Sequence, residues 1–164
     1  MEIDEKVLGK EHSDTAVDYN NIGLIYYAQG KYREALDYCQ RALKIRENAH
    51  ITIHLDTASS YNNLGMIIND MGDHQKALEY YQKALAIFEK TLGKGHPDTA
   101  TTYINIGIIY YQDSDYLKAL SFFEIALQTF KDTIVERHPN IEKTQRWINK
   151  TKSAMNNGTM NNKK

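Results

Sequence analysis

The chain has two prolines, one cysteine and a formal net charge of −1 in 164 residues, and each scarcity removes a class of protein. A lone Cys39 excludes an intramolecular disulfide framework and suits a reducing compartment. With 20 basic residues set against 21 acidic ones, no global field draws in nucleic acid or an anionic membrane surface, and neither is expected as a partner. No apolar run approaches the ~18 residues of a membrane span and no charged-then-apolar leader opens the chain, so a soluble, cytoplasmic protein is expected. Glycine-rich phosphate loops, Cys-His pairs and nucleophile elbows are also missing. The steps Gly9-Lys10 and Gly93-Lys94 lack the upstream glycine and strand of a P-loop. Neither an enzyme nor a cofactor is expected.

What the sequence has is periodicity. Tyr61–Leu85, YNNLGMIINDMGDHQKALEYYQKAL, has a relative 42 residues upstream, YNNIGLIYYAQGKYREALDYCQRAL, and another 42 residues downstream, YINIGIIYYQDSDYLKALSFFEIAL. The copies that begin at Leu8 and Leu92 agree at 19 of 42 positions, too many for chance alignment. Within each copy the apolar residues recur three and four apart, which predicts helices. At this length the chain is one ordinary domain with room for a core.

Read in order, residues 1–11 are the final turns of a truncated helix that stops at Leu8-Gly9, because Ile3 stands 42 residues before Ile45. The chain is therefore expected to be cut from a longer array. Three repeats follow, at about 12–49, 50–91 and 92–133. In the first, a helix opens at Asp14 and Thr15 and ends near Gly30; a second begins near Tyr32 and buries Ala35, Leu36, Cys39, Ala42, Leu43 and Ile45. The second copy starts HITIHLD without the Leu-Gly stop, so its link is either irregular or a continued helix. A last helix over about 138–154, with Ile141, Thr144 and Ile148 on one face, covers the final repeat and completes a domain spanning 1–154. The polar residues 155–164 read as a disordered tail.

The spacing Tyr61-x2-Leu64-Gly65-x2-Ile68, then Ala77-x3-Tyr81-x2-Ala84, resembles the tetratricopeptide repeat, with Cys39 and His74 replacing tyrosine or another aromatic. The 42-residue period and the HPDTA and YNN signatures are similar to those of the kinesin light chain class of that family. The resemblance implies an all-α fold, an α-solenoid in which antiparallel helix pairs form a right-handed superhelix. Three full repeats would lie between an N-terminal half-helix and a C-terminal capping helix, with first helices lining a concave groove and second helices on the convex side. It implies a non-enzymatic interaction module or scaffold that holds a partner peptide or helix in that groove. The alternatives are a structural array that forms homo-oligomers through exposed repeat ends, and a regulatory appendage of a larger enzyme.

In the resembling family, first-helix residues at the positions of Asn20 and Asn62 hydrogen-bond the backbone of an extended peptide, which makes them the leading contacts, followed by Asn21, Asn63 and Asn105. Asparagine is a poor mid-helix residue, so something other than local propensity favours it there. The competing reading is that one Asn per copy bonds the neighbouring helix. The repeat register adds Val17, Ser59 and Thr101, then Leu24, Met66 and Ile108, then Tyr27, Asn69 and Tyr111. Tyr27 and Tyr111 either anchor partner side chains or pack between repeats. From Asp14 to Gln29, Asp56 to Met71 and Asp98 to Asp113 there is no lysine or arginine, which argues against a carboxylate clamp and an acidic partner.

His12, His54, His96 and His138 are spaced by 42 residues and each opens a different repeat. Neighbours in that series stand about 15–20 Å apart, given helix separations of ~8–10 Å, too far to share a zinc with bonds of ~2 Å. They read as helix-start caps, His50 and His54 lack a third ligand, and no metal site is expected.

Overall fold

The computed structural model describes residues 13–48, 55–133 and 139–161. Those residues form seven α-helices and no strand: α1 (Ser13–Ala28), α2 (Tyr32–Asn48), α3 (Leu55–Asp70), α4 (His74–Thr91), α5 (Pro97–Gln112), α6 (Tyr116–Thr133) and α7 (Pro139–Asn161). The chain divides into two compact units, Met1–Ile87 and Phe88–Lys164. The first holds α1 to α3 and most of α4; the second holds the end of α4 and α5 to α7. The expectations for residues 1–12, for the link at 49–54 and for His12, His50, His54 and His138 lie outside the described residues.

Every helix pair closes on the same turn. In the first unit Gly30 and Gly72 take φ of 73° and 89°, which glycine adopts without a Cβ penalty. The Gly30 N–H donates to the Tyr27 carbonyl and the Lys31 N–H to that of Tyr26; Gly72 and Asp73 repeat this toward Asn69 and Ile68. These paired bonds satisfy the last carbonyls of the first helix and reverse the chain. In the second unit Ser114 occupies the glycine position at φ 63°, with Ser114 and Asp115 donating to Tyr111 and Tyr110. The second helix then starts on a carboxylate: Asp73 accepts from the Lys76 N–H, and Asp115 from the Lys118 N–H. Lys31 stands at that position in the first repeat and offers no acceptor.

Within each pair the two helices meet at a glycine of the first. A Cβ added at Gly23 would lie 2.5 Å from the Cys39 Sγ, one at Gly65 would lie 2.8 Å from the Tyr81 ring, and one at Gly107 would lie 2.7 Å from the Phe123 ring. The missing side chain on one helix makes room for the side chain of the other. Around these contacts the first unit buries Ala35, Cys39, Leu43, Leu64 and Ile67 under a rim of partly buried tyrosines. The second unit buries Ile109, Phe123, Phe130 and Ile148. Each large apolar side chain so placed contributes about 1.5–3 kcal/mol.

The last helix buries Thr144, Ile148 and Thr151. Its Trp147 stacks on Phe123 at 5.7 Å between ring centroids and meets Tyr111 edge-on at 5.4 Å. The helix does not stop near Ala154. It continues through Met155–Asn161, seven residues that the sequence reading assigned to a disordered tail. The stretch has no proline and one glycine, and a helix already nucleated and packed extends at the cost of one residue per hydrogen bond, so weak asparagine propensity alone does not end it.

Candidate peptide-binding face

The first-helix asparagines are brought together in a specific way. In the first unit the Asn63 Nδ2 donates to the Asn20 Oδ1 at 3.0 Å, joining α3 to α1. One atom of each amide, the Asn20 oxygen and the Asn63 nitrogen, is thus taken up between the two helices. The bond uses the Asn20 Oδ1 and the Asn63 Nδ2; the Asn20 Nδ2 and the Asn63 Oδ1 take no part in it. A donor and an acceptor therefore stand side by side on the seam between two first helices, both residues half-buried. Asn62 is half-buried on the same helix and Asn21 is exposed. In the second unit Asn105 is half-buried on α5.

The apolar positions Leu24, Met66 and Ile108 are also half-buried, each partly open to a contact. Ser59 and Thr101 turn their hydroxyls onto carbonyls four residues back, Leu55 and Pro97, so neither hydroxyl has its proton free for a ligand. Val17 is 41% exposed.

Tyr27, Asn69 and Tyr111 differ from one another. The Tyr27 ring lies against Tyr32, and its hydroxyl donates to the Asp70 Oδ2 at 2.6 Å, reaching from α1 to the last residue of α3. Tyr111 lies against Tyr116 and Trp147, with the Lys150 ammonium 4.9 Å above its ring. Both tyrosines therefore pack between successive helices. Asn69 is buried; its Nδ2 lies 3.4 Å from the Asp70 Oδ1 and its own Oδ1 has no hydrogen-bond partner. Burial first, and then the Asp70 carboxylate, push the Tyr27 phenol well above the ordinary tyrosine range.

Sequence reasoning missed a second periodic contact. Tyr61 donates to the Glu47 carboxylate at 2.6 Å, and Tyr103 donates to Glu89, in each case tying a second helix to the first helix of the next repeat. The signal was present, since Glu5, Glu47 and Glu89 are 42 residues apart and each lies 14 residues before a tyrosine. Arg46, next to Glu47, donates to the Asp56 carbonyl at 3.0 Å and to the Ser60 hydroxyl, adding to the same junction.

His96 behaves as a cap: its Nδ1 accepts from the Asp98 N–H at 3.2 Å, ahead of Pro97 at the first helical position. Among the described residues no three His, Cys, Asp or Glu side chains cluster as metal ligands. No described helix is long and apolar enough to cross a membrane.

The chain's likeness to known proteins agrees with this construction. The family profile described as tetratricopeptide repeat matches residues 1–48 and 56–132. The structure of BtubC (BKLC) from P. vanneervenii is similar over 88% of this chain, with a TM-score of 0.82 and 24% identity. A kinesin-light-chain-type protein of Podosopora anserina with nearly identical TPR-like repeats is similar over 94% of this chain and 74% of its own, with a TM-score of 0.75 and 21% identity. The apo form of RapI is similar over 88% of this chain, with a TM-score of 0.75 and 24% identity. This chain spans 58% of the BtubC structure and 50% of RapI. No curated protein matches it. The structural likenesses show the fold, an all-α solenoid of helical repeats, and the family is generally one of protein-interaction modules. The chain belongs to the tetratricopeptide repeat family, with 42-residue repeats like those of the kinesin light chain class.

Proposed function

We propose that this protein binds an extended segment of a protein partner on its first-helix face and performs no chemistry there. The observation that supports this reading is the Asn63–Asn20 bond, which leaves one amide donor and one amide acceptor on the seam between α1 and α3. An extended backbone offers a carbonyl and an N–H in alternation, and a neutral amide pair satisfies both without selecting a side chain. Half-buried Leu24 and Met66 flank the pair and offer apolar contact to whichever side chains accompany that backbone. The rest of the face argues against catalysis. Its Tyr27 and Tyr61 hydroxyls donate to the Asp70 and Glu47 carboxylates, which keeps these phenols protonated rather than available as bases.

The test is to pan a random displayed peptide library on the full chain and titrate the enriched peptides against wild type and Asn20→Asp. The aspartate keeps the oxygen that accepts from Asn63 and removes the donor offered to the partner. Enrichment over the bare support, with affinity reduced for Asn20→Asp at an unchanged melting temperature, is the expected result. No enrichment on the wild-type chain sinks the reading.

A further inference from the structure

Because the repeats are equivalent in sequence, each is a reference for the others, and one face of α1 departs from the rest. Ile25 is 57% exposed, whereas Ile67 and Ile109, at the same repeat position, are fully buried. Its neighbours differ in the same direction. Ile22 is half-buried where Leu64 and Ile106 are buried, and Asn21 is exposed where Asn63 and Asn105 are half-buried. Asn21 and Ile22 lie four and three residues before Ile25, on one face of the helix, so the three positions are uncovered together.

The first unit shows what such a face meets. Leu64 and Ile67 of α3 share a buried cluster with Ala35, Cys39 and Leu43 of α2, the helix that precedes α3. The stripe on α2 is two small residues and a leucine at four-residue spacing, which lets an isoleucine-bearing helix approach closely. Four residues beyond the leucine, Glu47 accepts from the Tyr61 hydroxyl at 2.6 Å. Tyr19 stands on α1 where Tyr61 stands on α3. The receiving residues of α3 thus recur on α1 as Ile22, Ile25 and Tyr19.

We propose that this face of α1 docks an amphipathic helix of a partner protein, built like α2: two small residues four apart, a leucine four further on and a glutamate four beyond that. Ile25 is the central contact, and Tyr19 donates to the glutamate. The face is separate from the seam assigned to the extended segment, since five residues of helix set Ile25 about 140° around α1 from Asn20. A second copy of this chain has no such helix to offer. Among the described residues the matching stripes are already buried: Ala35 and Cys39 in α2, Ala77 and Tyr81 in α4, Ala119 and Phe123 in α6.

The test titrates a labelled peptide of α2, Tyr32–Asn48, against the full chain. Cys39→Ala in the peptide prevents disulfides and keeps a small residue at that position. The Asp37–Arg41 ion pair, 2.8 Å long in the folded chain, lies four residues apart and favours the helical form. Expected is saturable binding that Ile25→Ala weakens about fivefold and Ile25→Asp abolishes, both at an unchanged melting temperature because Ile25 is exposed. Leu43→Asp in the peptide should abolish binding. Glu47→Gln in the peptide should weaken binding to wild type several-fold and change binding to Tyr19→Phe little, because the two substitutions remove one contact. Asn20→Asp should leave the affinity for this peptide unchanged. No binding of the α2 peptide, or equal binding to wild type and Ile25→Asp, overturns the proposal and leaves the reading of the first-helix seam standing. Sedimentation of the chain alone tests the other occupant: a monomer is expected, and concentration-dependent association that Ile25→Asp removes assigns the face to a second copy and overturns the partner helix. A helix of the same pattern encoded directly upstream in the native transcript assigns the face to the array itself, with the same consequence.

Discussion

The Tyr61 hydroxyl donates a 2.6 Å hydrogen bond to the Glu47 carboxylate across the junction between two repeats. Tyr103 and Glu89 form the same bond one period on. The contact is partly open to water, so its net worth is modest: Tyr61→Phe is expected to cost about 1 kcal/mol. For a chain of this size that is a fall in Tm of about 2–4 °C. Thermal unfolding followed by circular dichroism measures it. An equal loss for Glu47→Gln combined with Tyr61→Phe as for Tyr61→Phe alone identifies the pair as the source.

The same tyrosines predict alkaline instability. Burial and, after it, the Glu47 carboxylate push the Tyr61 phenol up to about 12, and burial raises Tyr27, Tyr81 and Tyr103 further. A phenol whose folded value exceeds its unfolded ~10 favours the fold while neutral. Its contribution is complete below pH ~10 and is lost as pH rises toward the folded value. Phenolate absorbance should therefore show a late-titrating group of tyrosines, with unfolding in the same alkaline range. Ordinary titration of every tyrosine without unfolding contradicts this.

Gly107→Ala tests the close approach of α5 and α6. The new methyl would lie 2.7 Å from the Phe123 ring, which is fully buried and stacked on Trp147, so Phe123 can yield only by displacing its neighbours. A loss of about 1–3 kcal/mol in chemical denaturation is expected. Gly107→Ala combined with Phe123→Leu should recover part of it.

Ser114→Gly should stabilise the chain. Ser114 holds φ at 63°, where Gly30 and Gly72 stand in the other two repeats. Removing the Cβ relieves left-handed strain of about 1–2 kcal/mol, offset by the greater freedom of glycine in the unfolded chain. A net gain of about 0.5–1 kcal/mol in denaturant unfolding is expected.

Cys39 should be inert in the folded protein. The side chain is fully buried beneath Gly23, and burial pushes the thiol up to about 11, so little thiolate exists near neutrality. A disulfide reagent should modify it only at the rate at which the helix pair opens, and at once in denaturant. Rapid labelling of the native chain would contradict the burial.

Much of the fold was legible because the information it needs is local and repeated. Apolar residues three and four apart set the helices, and Gly30 marked the first turn; that Gly23, Gly65 and Gly107 stand opposite Cys39, Tyr81 and Phe123 emerged only from the packed helices. The extent of α7 was not legible, because asparagine-rich sequence looks like a tail unless the helix before it is already anchored by Trp147 and Ile148.

By itself the sequence determined that this protein is a helical repeat, which residues lie on its first helices, and that this face carries no basic side chain there. Only the tertiary structure decided what those residues do. The 42-residue register treats Tyr27, Asn69 and Tyr111 as equivalent, yet one holds Asp70, one is buried with an unpaired oxygen and one packs against Trp147. Likewise, equivalent spacing did not reveal that Asn63 would reach back to Asn20. Periodicity is a property of the chain alone. A hydrogen bond or a buried acceptor depends on rotamer, depth and the neighbouring helix, which exist only once the helices have packed.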